Sequence, residues 1–180
     1  MTLSDAKELL NGQNIPYEKR EYKSEEEYWH HTTLFPYTKK AKPCKVIAIT
    51  IKSNNGKKDI ELQFNETDAG FRFEELWFGE YSYDMFDYYE EMLKPDLLER
   101  ISEIMQGKTA VIVANDIKNK RWLGDAGFDR SDDSDNTFGE PGYQKAIRQI
   151  QRKKGLFAKI FQSKTQYEIY DWNSYKCIIK

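Results

Sequence analysis

The sequence predicts an α+β fold: a mainly antiparallel sheet of about eight short strands with helices packed on one face. Three observations carry this expectation. Apolar residues alternate in short runs, Ile47, Ile49 and Ile51, then Ile60, Leu62 and Phe64, which is the period of a half-buried strand. Turn residues punctuate the runs, and Asn54-Asn55-Gly56 between those two suits a tight hairpin turn with positive φ. Helical periodicity occurs between and beside strands without the regular alternation of a parallel βαβ fold. The chain of 180 residues is long enough to bury a sizeable core and reads as a single globular domain over 1–180.

Taken in order, Ser4 caps a short helix through about Asn11, with Ala6, Leu9 and Leu10 on one face and Gly12 ending it. Ile15 to Tyr22 is a short strand. Ser24-Glu25-Glu26-Glu27 starts a brief helix, since carboxylates suit the positive end of the helix dipole, and that helix carries Tyr28 and Trp29. Pro36, Pro43 and the lysines near them mark a surface connection. The hairpin Lys45 to Phe64 follows, then a third strand from Phe71 to Phe78. Strict alternation along it places Phe71, Phe73, Glu75 and Trp77 on one face and Arg72, Glu74, Leu76 and Phe78 on the other.

Pro95 opens the best helix, with Leu97, Leu98, Ile101, Ile104 and Met105 at helical spacing up to Gly107. Thr109 to Ala114 is a compact apolar strand, and Arg121-Trp122-Leu123 its hairpin partner. Gly124 to Gly142 reads as a long acidic loop. A second helix, Tyr143 to Lys154, is stopped by Gly155, and a last hairpin joins Tyr167 and Ile169 to Tyr175, Cys177 and Ile179.

A formal net charge of -2 supplies no global field for nucleic acid or anionic membrane. Cys44 and Cys177 stand far apart and do not form a disulfide framework. The N-terminal residues lack a basic then apolar leader and no run approaches a membrane span, so the expectation is a cytoplasmic protein with no membrane partner.

Chemistry-bearing motifs are few. Gly107-Lys108-Thr109 resembles the end of a phosphate-binding loop, but Ser102 stands where the first Gly belongs and the order is helix then strand. His30 and His31 are adjacent, so their side chains diverge and make a poor metal pair. No catalytic or cofactor motif is present, and the expectation is a non-enzyme without a cofactor.

The loop Asp125–Glu140 is the metal candidate. Asp129, Ser131, Asp133, Asp135, Thr137 and Glu140 fall at the ligand offsets of an EF-hand calcium loop. Ser134 replaces the turn-forming glycine, however, and Pro141 follows where a helix should be under way, so a solvated loop is the favoured reading. A metal-dependent enzyme or calcium-binding domain with Asp129, Asp133, Asp135 and Glu140 as ligands is the alternative. The basic run Lys145 to Lys164, with Arg148 and Arg152, offers a second alternative, a nucleic-acid binder. Acidic residues elsewhere offset those charges, and the more economical reading is intramolecular balance.

The densest feature is Glu66 to Glu91, where nine carboxylates are threaded through nine aromatics against a single Arg72. Aromatics provide rigid contact area, while carboxylates steer association and pair with Arg or Lys. This pattern points to a basic protein partner met by Glu74, Trp77, Glu80, Tyr81, Tyr83, Asp84 and Asp87; nucleic acid would be repelled by the same surface. The competing reading makes Phe71, Phe73, Trp77 and Phe86 core and the acids its wet side.

Leu76-Trp77-Phe78-Gly79-Glu80-Tyr81, with Phe86 after it, resembles the strand-to-loop phrase of bacterial immunity proteins of polymorphic and contact-dependent toxin systems. The resemblance covers that phrase and the habit of a small, acidic, aromatic-rich α+β protein. It implies a cytosolic protein that neutralises a cognate toxin by covering its active site or a nearby surface.

Overall fold

The computed structural model describes residues 1–32, 40–83, 94–118, 121–129, 148 and 164–179. Among them are three helices and nine strands in two antiparallel sheets, so the fold is sheet-dominated and α+β. The chain divides into two compact units, Met1–Ser102 and Glu103–Lys180. No helix among the described residues is long and apolar enough to cross a membrane.

The first unit opens with α1 (Leu3–Gly12). Its N-cap is Thr2 in place of the expected Ser4: the Thr2 hydroxyl accepts from Asp5 N and the Asp5 carboxylate accepts from Thr2 N, a reciprocal capping box. Ala6 and Leu10, one turn apart, are fully buried. The strands are β1 (Glu18–Tyr22), β2 (Val46–Ile51), β3 (Ile60–Thr67), β4 (Gly70–Phe78) and β5 (Tyr81–Tyr83), paired in chain order as a meander. Between β1 and β2 lies α2 (Glu25–Thr32). β2 and β3 form the expected hairpin, but residues 52–59 join them in a longer connection than a tight Asn-Gly turn; Gly56 in it has φ 64, and Asn55 Oδ1 accepts from Lys57 N and Lys58 N.

Register sorts the side chains of this sheet onto two unlike faces. Ile47, Ile49 and Ile51, Ile60, Leu62 and Phe64, and Leu76 and Phe78 pair across the ladders on one face, each no more than 3 % exposed. The other face carries Glu61, Gln63 and Asn65 of β3 beside Glu75 and Trp77 of β4. Phe73 departs from the expected alternation. It pairs with Phe64, and Glu75 with Gln63, leaving Glu74 without a partner on β3 as a β-bulge. The extra residue returns Phe73 to the apolar face with Leu76 and Phe78, where strict alternation had placed it with Trp77.

The edge of β4 is continued beyond β5 by the start of the chain. Thr2 bridges Arg72, and Phe73 N donates to Met1 O at 3.0 Å.

The chain passes from the first unit to the second along α3 (Lys94–Met105), in which Leu97, Ile101 and Ile104 are buried. Gly107, at φ 70, ends it. The second sheet has the order β7-β6-β8-β9, from β6 (Thr109–Asp116), β7 (Arg121–Asp129), β8 (Thr165–Tyr170) and β9 (Tyr175–Ile179). Every residue of β6 is buried. Ile112, Ala114, Ala126, Tyr167 and Ile169 form its core cluster, with Leu123, Phe128 and Ile178 packed against it.

The expected acidic loop therefore begins later than its composition implied. Residues 124–129 are strand, because each finds a partner on β6 and because Ala126 and Phe128 alternate toward the core with Asp125 and Gly127 between them. The β8–β9 turn is shaped by Asp171, whose Oδ1 accepts from Asn173 N and Ser174 N and whose Oδ2 accepts from the Ser174 hydroxyl. The helix expected over Tyr143 to Lys154 lies outside the described residues, apart from a helical, exposed Arg148.

Candidate partner-binding surface

The sequence places the partner surface on Glu66 to Glu91, and the described part of it is β4, β5 and the turns around them. Trp77 is 7 % exposed and its indole Nε1 donates to Gln63 Oε1 at 3.2 Å. It is part of the packed interior of the polar face. That hydrogen bond begins a chain. Gln63 Nε2 donates to Asn65 Oδ1 at 2.9 Å and to Glu25 Oε1 at 3.3 Å, and Asn65 Nδ2 donates to Glu25 Oε1 at 3.1 Å.

Glu25, in the first turn of α2, is only 3 % exposed. Its second oxygen accepts from Lys42 N at 2.6 Å. A carboxylate taken from water is tolerable when several donors replace the lost solvent, and here two side-chain amides and one backbone N–H do so. The Lys42 ammonium then reaches Glu74 Oε1 at the β-bulge, which raises the lysine pKa chiefly through that hydrogen bond. One residue thus ties segment 40–45 to both α2 and β4. Beside it the half-buried Cys44 thiol has its pKa pushed up, first by burial and then by the Glu25 charge, so it is a poor nucleophile.

The acids of the surface fall into two classes. Glu80 sits in the two-residue β4–β5 turn, after Gly79 at φ 60, and its carboxylate meets Lys58 Nζ at 2.8 Å with both side chains near one-tenth exposed. Glu74 and Glu66 are different: Glu74 is 37 % and Glu66 43 % exposed, and their lysine partners, Lys42 and Lys45, are more than half exposed. Pairs of that kind contribute about 0–1 kcal/mol and exchange readily. Glu75 accepts from the Ser82 hydroxyl, Tyr81 is half-buried, and Tyr83 ends β5 with its side chain outside the described residues. Asp84 and Asp87 lie outside them as well.

Of the metal candidates, Asp129 ends β7 opposite Thr109, and Asp133, Asp135 and Glu140 are outside the described residues. Among the described residues no group of three His, Cys, Asp or Glu side chains is placed to hold a metal ion. His30 and His31 follow each other in the last turn of α2. The ring of His31 lies 5.6 Å from that of Tyr22.

Sequence reasoning missed the buried polar face. Glu61, Gln63 and Asn65 alternate with Ile60, Leu62 and Phe64, which was a legible signal for a polar side of β3, but nothing local shows that α2 covers it. Comparison with family models, with curated proteins and with solved structures finds no match to this chain.

Proposed function

We propose that the protein is a protein-binding module, an immunity-type inhibitor that receives a basic cognate partner on the surface centred on β4 and β5. The observation that carries the reading is the exposed Glu74 carboxylate on the β-bulge, held by a lysine that is itself 57 % exposed. A rigid sheet presents this charge, and an arginine from a partner can replace the ammonium at little cost, gaining a bidentate pair. Half-buried Tyr81 stands nearby in sequence on β5 to supply apolar contact. The resemblance of Leu76 to Tyr81 to the immunity-protein phrase supports the same reading.

In this proposal Glu74, Tyr81, Tyr83, Asp84 and Asp87 meet the partner. Trp77 acts from beneath by fixing Gln63, and Glu80 holds the turn through Lys58. The test follows that division. A basic protein captured from host lysate at low salt associates with the Glu74→Lys/Asp87→Lys variant at least about tenfold more slowly than with wild type, and the difference shrinks as salt is added. An unchanged association rate removes the surface from the argument. Glu80→Lys is unsuitable as the binding probe, since it places two ammonium groups together in a nearly buried site and its first effect is on stability.

A further inference from the structure

We propose that α2 is seated on the first sheet by a proton-sensitive pair, Tyr28 and Glu61, and that this seat tightens as the pH falls. The geometry is asymmetric. Tyr28 is 1 % exposed and packs in a cluster with Tyr22, Val46 and Ala48, with Trp29 against it. Its phenol is hydrogen-bonded to Glu61, which lies on β3 between Thr50 of β2 and Trp77 of β4. The Glu61 Oε2 atom is sealed from solvent and has no hydrogen-bond partner among the described residues.

The contrast with Glu25 on the same helix makes the point. Glu25 has three donors around its two oxygens, whereas Glu61 takes the Tyr28 hydrogen bond and leaves one buried oxygen unserved. An ionised carboxylate so placed is under-solvated, and a proton removes the charge at the site of the deficit.

The charged and titratable groups facing the pair are Arg20 and Tyr22 from β1, Lys52 after β2, Asp59 before β3 and Glu75 of β4. Burial is the largest influence on Glu61 and raises its pKa; the Tyr28 hydrogen bond lowers it, Asp59 raises it, and Lys52 and Arg20 lower it by less. The net direction is upward. A carboxyl whose pKa is higher when covered than when exposed favours the covered state as pH falls, and that contribution is lost as pH rises through the covered-state value. When α2 lifts, Glu61 is released to water, so the linkage acts on the local opening of α2 and does not require global unfolding.

Native-state hydrogen exchange of the α2 amides, corrected for intrinsic exchange, tests this between about pH 4 and about pH 8. Wild type is expected to show its highest protection at the acid end and to lose it as the pH rises. Glu61→Gln, which cannot titrate and still accepts from Tyr28, is expected to show a flat profile. His30 and His31 lie on the same helix, and the variant His30→Gln/His31→Gln is expected to keep the wild-type slope. Tyr28→Phe keeps the packing and removes the donor, so its slope should steepen. A flat wild-type profile, a slope that survives Glu61→Gln, or one lost with the histidines overturns the proposal.

Discussion

Phe73 meets Phe64 edge to face, ring centroids 5.7 Å apart and planes at 76°, because the neighbouring Glu74 has no partner on β3. The bulge solves a problem of pattern: it lets a strand with apolar residues of both parities bury Phe73, Leu76 and Phe78 together. Phe73→Ala is expected to cost about 3–5 kcal/mol in urea unfolding. Deleting Glu74 should cost less than that, since Phe73 opposite Phe64 and Glu75 opposite Gln63 then follow each other as a regular ladder in which Phe73, Leu76 and Phe78 keep the apolar face. A deletion more damaging than Phe73→Ala would show that the bulge itself is needed by the sheet.

The Lys58–Glu80 pair gives a sharper test of electrostatics than any exposed pair. Lys58→Met takes the ammonium away from a nearly buried carboxylate and is expected to destabilise by about 3 kcal/mol, whereas Lys58→Met/Glu80→Leu should recover most of the loss. The double-mutant cycle in denaturant measures the coupling. Near-additive single effects would mean that water serves both charges.

Glu25 predicts a local effect larger than the global one. Glu25→Ala takes the acceptor from the Asn65 amide and the Lys42 N–H, at about 1–3 kcal/mol for each group that stays buried, and leaves the Gln63 amide with its bond to Asn65 Oδ1. Segment 40–45 can instead move and hydrate, so the Lys42 amide should lose its exchange protection while β2 and β3 amides keep theirs. Equal loss in all three would place Glu25 in the global core.

Two glycines with empty space around them should respond with opposite sign. Neither Gly12 nor Gly56 has an atom within 4 Å of an added Cβ, but Gly56 lies at φ 64 in the hairpin turn while Gly12 closes α1. Gly56→Ala is expected to lower stability by about 1 kcal/mol or more, and Gly12→Ala to raise it by about 0.5–1 kcal/mol. Thermal melts of the two variants decide it.

Much of the fold is legible because local chemistry and tertiary structure agree. Asn55-Gly56 marks the connection of β2 to β3, the spacing of Leu97, Ile101 and Ile104 fixes α3, and Asp171 to Ser174 marks the last turn. What failed were places where a partner strand decides. Gly124 to Asp129 looks like the start of a loop until β6 supplies a ladder for it, and no feature of β4 itself announces that Glu74 is skipped. The site was legible in its charges and not in their pairing: Trp77, Glu80 and Glu74 share one short stretch, yet the first is interior, the second is neutralised by Lys58 and the third is exposed. Sequence order does not carry that distinction, because it depends on Gln63, Lys58 and Lys42.

The contact of Met1 and Thr2 with β4 bears on the order of folding. The strands β2 to β5 pair each with the next, so their ladders close over short connections, whereas the Thr2–Arg72 bridge and the Phe73–Met1 hydrogen bond close a loop spanning most of the first unit. Loop-closure entropy places such a contact after the rate-limiting step, unless it belongs to the nucleus. Thr2→Ala, which removes the α1 cap, should therefore speed unfolding and leave the refolding rate nearly unchanged. The first turn of the chain then acts as a clasp that is fastened last and sets how long the folded sheet persists.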